Sequence, residues 1–194
     1  MRISCVLNKA EANKESSNLI LFPEGVSFCH LTQTSATYPS AIIVGACIKD
    51  QRCHGFVYRN SDICLTYTKV NNDGRTNGSG NTDQNPIIEF NDFCLGFLIC
   101  NDIQHLNFSE ELFAKLRASK AKTKILCIPA NMSSAWLPCD KLPDKYHGFY
   151  VALCNNNEFQ DRCKSFIADM GGKKVSVQRN VEPISYRTTM NCNE

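Results

Sequence analysis

The chain has 194 residues, of which 43% are hydrophobic and 21% charged, with a formal net charge of +2. That length suits one sizeable domain spanning 1–194, and the composition excludes a chain too polar to fold. Scattered Lys and Arg exclude a nucleic-acid-binding field, and no apolar stretch approaches the roughly 20 residues of a membrane helix.

The N-terminal "MRISCVLNKAEANKESS" turns polar after a short apolar run, which is not the pattern of a secretory signal, so the expected location is the cytoplasm. Twelve cysteines raise the question of a disulfide framework, a device of small secreted chains. Against it, Cys5, Cys47, Cys127 and Cys154 lie within "ISCVL", "VGACI", "ILCIP" and "VALCN", which read as core strands. No CxxC pair occurs, and "FCH" (28–30) and "RCH" (52–54) lack partners at ligand spacing, so no metal site is expected. Most of the thiols read as reduced and structural.

In chain order, "RISCVL" (2–7) reads as a first strand, followed by a polar helix or loop. "NLILFPEG" (18–25) is a compact apolar strand, and "AIIVGACI" (41–48), "CHGFVYRN" (53–60) and "DICLTYTKV" (62–70) are three more. Runs this apolar, bounded by turn residues, fit strands buried on both faces. Residues 71–86, "NNDGRTNGSGNTDQNP", contain almost nothing to bury and read as a mobile loop, either a lid or a tolerated insertion. "IIEF" and "FCLGFLIC" (93–100) suggest a hairpin. "NFSEELFAKLRASKA" (107–121) has the strongest helical pattern, with Ser109 as cap, an apolar stripe of Leu112, Phe113 and Leu116, and basic residues in its last turns. "KILCIPAN" (124–131) and "FYVALCNN" (149–156) are strands, "SFIADMGGKKVSVQ" (165–178) is a hairpin around Gly171–Gly172, and residues 181–194 read as a loose tail. Apolar strands interleaved with a few helices predict an α/β sandwich, and the hairpins argue against a purely parallel sheet.

Three reactive residues stand at the ends of apolar runs: Glu24 after "LILFP", Lys69 after "ICLTYT" and Cys100 closing "FCLGFLIC". A carboxylate, an ammonium and a thiol suit acyl transfer. The carboxylate takes the thiol proton, the thiolate attacks a carbonyl or nitrile carbon, and the ammonium stabilises the charge that develops. Taken singly, each also reads as an ordinary turn, loop or edge residue.

The motifs around them, in order along residues 2–178, resemble the carbon–nitrogen hydrolase (nitrilase) superfamily. "FPE" holds Glu24, "YTKV" holds Lys69 after a Tyr58–Asn60 segment, and Gly96–Asp102 matches "G-x-x-I-C-x-D" around Cys100. "IPAN" (128–131), "YVALCN" (150–155) and "SFIADMGGKKV" (165–175) continue the likeness. The resemblance implies a four-layer αββα sandwich and a catalytic triad of Glu24, Lys69 and Cys100. It further implies an oxyanion site formed by Lys69 and the Asn101 N–H, and Asn131 and Trp136 at the pocket. Asp102 would be a structural acceptor behind the nucleophile. The implied partner is a small-molecule amide, with no cofactor required and homo-oligomeric assembly left open.

The chain departs from the family pattern in its short length and in a missing acid. Members commonly carry a further Glu between the Lys and the Cys, whereas here the only acids of loop 71–86 are Asp73 and Asp83, and Glu89 falls in the next strand. Two readings follow: a thiol-dependent amidase, or a nitrilase-like domain with little or no activity that serves binding or assembly.

Overall fold

The structure is a computed structural model that describes residues 2–6, 18–74, 76–91, 93–131, 146–155, 165–169 and 185–189. Trp136, the polar segment 8–17 and the turn at Gly171–Gly172 lie outside the described residues. In chain order the elements are β1 (Arg2–Val6), β2 (Leu19–Glu24), α1 (Phe28–Thr37), β3 (Ile42–Lys49), β4 (Arg52–Arg59), β5 (Asp62–Thr68), β6 (Ile87–Glu89) and β7 (Phe93–Phe97). They continue through a 3-10 turn (Cys100–Gln104), α2 (Leu106–Ala118), β8 (Thr123–Ala130), β9 (Tyr150–Asn155), β10 (Phe166–Asp169) and β11 (Ser185–Thr189).

Two sheets form, in the orders β11-β1-β2-β3-β4-β5 and β10-β9-β8-β7-β6. Each has a parallel trio, β1-β2-β3 or β7-β8-β9, flanked by antiparallel strands, including the expected β6–β7 hairpin. Side-chain alternation explains the unbroken apolar runs. Leu19, Leu21, Ile42, Val44 and Ala46 point into a core shared with β7, β8, β9 and α2. Ile20, Phe22 and Ile43 point the other way, onto Leu31 of α1. The layers are therefore helix, sheet, sheet, helix, an αββα sandwich. Among the described residues, no helix is long and apolar enough to cross a membrane.

The sheets approach closely where Gly55 of β4 faces Phe97 of β7. A Cβ on Gly55 would lie 2.4 and 2.6 Å from two Phe97 ring atoms. Gly55→Ala is expected to cost about 1–3 kcal/mol through overpacking, read as a lower denaturation midpoint.

Three expectations need correction, and one helix lies outside them. Helix α1 has no apolar period to announce it, because only Leu31, Thr34 and Ser35 are buried. It forms on local hydrogen bonds. Ser27 accepts from the His30 N–H at 3.1 Å, and the hydroxyls of Thr32 and Thr37 donate to carbonyls one turn back. Helix α2 starts at Leu106 rather than at a Ser109 cap, because it grows directly out of the 3-10 turn; Ser109 lies inside it and donates to the Leu106 carbonyl. Strand β5 is an edge strand, so Ile63 and Cys64 are exposed rather than doubly buried. The expected tail contributes β11, "SYRTT", antiparallel to β1 from Arg2↔Thr189 to Val6↔Ser185. Its Tyr and β-branched Thr residues suit a strand.

Candidate active site

Backbone register turns Glu24 toward the shared core. In β2, Leu21 pairs with Val44, but the next pairing is Glu24 with Ala46, so one extra residue is accommodated at Phe22–Pro23. Pro23 has no N–H to give the ladder, and a bulge there is the ordinary outcome. The shift reverses side-chain parity. Without it, Glu24 would share the α1 face with Ile20 and Phe22; with it, Glu24 shares the inward face of Ala46.

Lys69 follows β5 and extends its ladder, donating its main-chain N–H to the Cys53 carbonyl at 2.9 Å, which sets it opposite inward-facing Cys53. Cys100 comes from the second sheet. It opens the 3-10 turn after β7 with φ 46°, a left-handed conformation that costs a non-glycine residue about 1–2 kcal/mol. The three strand ends named from the sequence therefore meet across the sandwich.

The Lys69 ammonium, fully buried, donates to Glu24 Oε1 at 2.8 Å and to Asp73 Oδ2 at 2.5 Å. The Cys100 sulfur lies within 4.8 Å of a carboxylate oxygen of Glu24 and of Asp73, and the main chain of Asn131, just after β8, favours its thiolate. Ligand-type atoms of Glu24, Asp73 and Cys100 lie within 4.8 Å of one another, but the cation among them is Lys69. Burial, reinforced by the Glu24 charge, pushes the Cys100 thiol up to about 12 against the pull of Lys69. Burial works against a charged Lys69, but Cys100, Glu24 and Asp73 outweigh it and raise its pKa. The resting group is thus a thiol beside a carboxylate–ammonium pair. Cys53 is also buried, and burial, reinforced by the Glu24 charge, raises its thiol well above the usual range.

Asp102 holds this arrangement from behind. Its carboxylate accepts the N–H of Val70 through both oxygens at 3.0 Å, the N–H of Asn71 at 2.8 Å and the Tyr67 hydroxyl at 3.2 Å. Tyr67 in turn accepts the Ile99 N–H, and the Asn71 side chain donates to the Asn101 carbonyl at 2.8 Å. The residues after Lys69 are thereby tied to the turn that carries Cys100. A carboxylate with no exposure is an expensive group to charge, and burial raises Asp102 to about 6 despite these donors.

The described residues of segment 71–86 are held to the sheet by hydrogen bonds. The Gln84 side chain pairs with Thr68 like a strand, accepting its N–H at 2.7 Å and donating to its carbonyl at 2.8 Å. Ser79 and Gly80 donate to the carbonyls of Lys69 and Val70, and Asn77 donates to that of Gln51. The segment brings Asp73 to the site, a residue whose sequence context is that of an ordinary loop acid. A cavity of about 710 Å³ lined by Gly25, Phe28, Cys47, His54 and Phe56 opens on the α1 side of the first sheet, the face opposite Glu24.

No protein-family model and no curated protein matches the sequence. Solved structures do match. An amidase from Nesterenkonia sp. superposes with TM-score 0.72 at 13% identity, covering 96% of this chain and 89% of that one. Saccharomyces cerevisiae Nit3, a member of the nitrilase superfamily, gives TM-score 0.66 at 13% identity, over 96% and 89% of the two chains. XC1258 from Xanthomonas campestris, a CN-hydrolase superfamily protein, gives 0.66 at 16%, over 99% and 91%. The fold is that of the nitrilase superfamily. A mutant of the same Nesterenkonia amidase is known in complex with butyramide.

Proposed function

We propose that the protein is a thiol-dependent hydrolase of carbon–nitrogen bonds in a small linear amide or carbamoyl compound. The observation that carries this reading is the buried Lys69–Glu24 pair with the Cys100 sulfur within 4.8 Å of the same carboxylate. Glu24 takes the thiol proton as sulfur attacks the carbonyl carbon, so the thiolate need not exist in the resting protein. The Lys69 ammonium and the Asn101 N–H receive the oxyanion. The tetrahedral intermediate collapses as Glu24 returns the proton to the nitrogen, and ammonia or an amine leaves a Cys100 thioester. Glu24 then deprotonates water, which attacks the thioester and releases the acid and the thiol. Asn131 borders the reacting sulfur through its main chain. The fold shared with an amidase that binds butyramide supports the substrate class.

Ammonia release from a panel of small amides and carbamoyl compounds tests this directly. Native protein should release it, and Cys100→Ala should fall to background. No release across the panel from folded native protein would favour the alternative, a binding or assembly domain.

A further inference from the structure

Tyr67 stands on β5 two residues before Lys69 and is buried. Its ring packs edge-on against Phe97 at 5.2 Å and tilted against Phe108 at 6.2 Å, contacts that a phenylalanine would make equally well. The hydroxyl does something the ring cannot. Main-chain N–H groups along a strand point to alternate sides. Phe97 donates to the Pro86 carbonyl at 2.9 Å, on the β6 side, and Leu98 donates to the Cys127 carbonyl at 3.0 Å, on the β8 side. Ile99 therefore points to the β6 side again, but there the ladder has ended, its last pairing being Ile87 with Gly96. The Tyr67 hydroxyl, reaching across from the other sheet, accepts that N–H and donates in turn to Asp102 Oδ2 at 3.2 Å. A buried N–H left without an acceptor would be costly. Ile99 is held at its other end too, where its carbonyl accepts the Asp102 N–H at 3.0 Å. Two residues on, the Asn101 carbonyl accepts from the Asn71 side chain at 2.8 Å. Cys100 lies between these anchors with φ 46°, a strained conformation that persists only where its surroundings impose it.

We propose that Tyr67 is a positioning residue: its hydroxyl takes the place of a strand partner for Ile99 and thereby holds the Cys100 sulfur and the Asn101 N–H at the angle the reaction needs. The proposal rests on reading Cys100 as the nucleophile of an amide-cleaving site. Tyr67 touches no reacting atom and acts through the backbone of Ile99. The sulfur and the N–H meet changing charge in the transition state, so slackening them lowers kcat and leaves ground-state binding nearly as it was.

Tyr67→Phe removes the hydroxyl and keeps the ring. In folded protein it should lower kcat for amide hydrolysis about ten- to a hundredfold, with KM within about threefold. It should also speed deuterium exchange at the Ile99 amide about tenfold or more. Phe108→Leu is the packing control, since Phe108 meets the same ring but not the hydroxyl. It should lower the denaturation midpoint yet leave kcat within about threefold. Native protein supplies a reading that needs no variant: its Ile99 amide should exchange as slowly as those of Phe97 and Leu98. An Ile99 amide that exchanges freely in native protein overturns the proposal, as does an unchanged kcat in folded Tyr67→Phe or an equal loss of kcat in Phe108→Leu. An Ile99 amide protected in native protein and opened by Tyr67→Phe, with no ammonia released from any amide, would instead contradict the hydrolase reading.

Discussion

Asp102→Ala is expected to lower stability by about 3 kcal/mol at neutral pH and to cut amide hydrolysis by about a hundredfold or more. The side chain is fully buried and accepts from Val70, Asn71 and Tyr67. Removing it strands three donors, each costing about 1–3 kcal/mol, offset in part by relief of a poorly solvated charge. Lys69 precedes two of those donors and Cys100 precedes Asp102 by two residues, so their mutual placement slackens as well. Denaturant midpoints and kcat/KM measure both effects. Asp102 also predicts a pH dependence of known sign. Its folded pKa of about 6 stands above the ordinary 3.8, so the folded state binds the proton more tightly. Its contribution to stability is therefore full below about pH 4 and is lost as pH rises through about 6, a fall of roughly 2–3 kcal/mol. Asp102→Asn should flatten that part of the stability profile.

Glu24→Gln should move two readouts in opposite directions. The amide keeps an oxygen for Lys69 but cannot take a proton, so kcat/KM for amide hydrolysis should fall by about 10²- to 10⁴-fold. The Glu24 charge pushes the Cys100 thiol upward. Removing it lowers that pKa, so the Cys100 peptide should be alkylated faster at pH 8 than in native protein. Loss of both activities together would mean that the substitution had disturbed the site and that Glu24 has no separate role as base.

The difference between what sequence and structure reveal lies in which residues announce themselves. Glu24, Lys69 and Cys100 each end an apolar run, and an abrupt change of polarity is legible without coordinates. Their convergence is not, because Glu24 faces inward only through a bulge whose sole trace in the sequence is Pro23. Asp102 has an expected role only through the family resemblance, and its three donors fit that role behind Cys100. Asp73 is not legible, since its segment has no hydrophobic period and its order comes from side-chain amides and hydroxyls bonding to backbone. The same cause hides α1, which Ser27 caps locally and in which Leu31 is the one buried apolar side chain. Strand β11 is hidden differently: it pairs with β1 from the far end of the chain, and local propensity carries little of such a long-range pairing.

The most direct measurement is of the covalent intermediate. Native protein is mixed with a small primary amide, quenched in acid after a short delay and mapped by peptide mass spectrometry. The account predicts the mass of the acyl group on the peptide containing Cys100, removable by hydroxylamine and absent from Cys100→Ala. Ammonia release without any acyl group on Cys100, or release undiminished in Cys100→Ala, would contradict it.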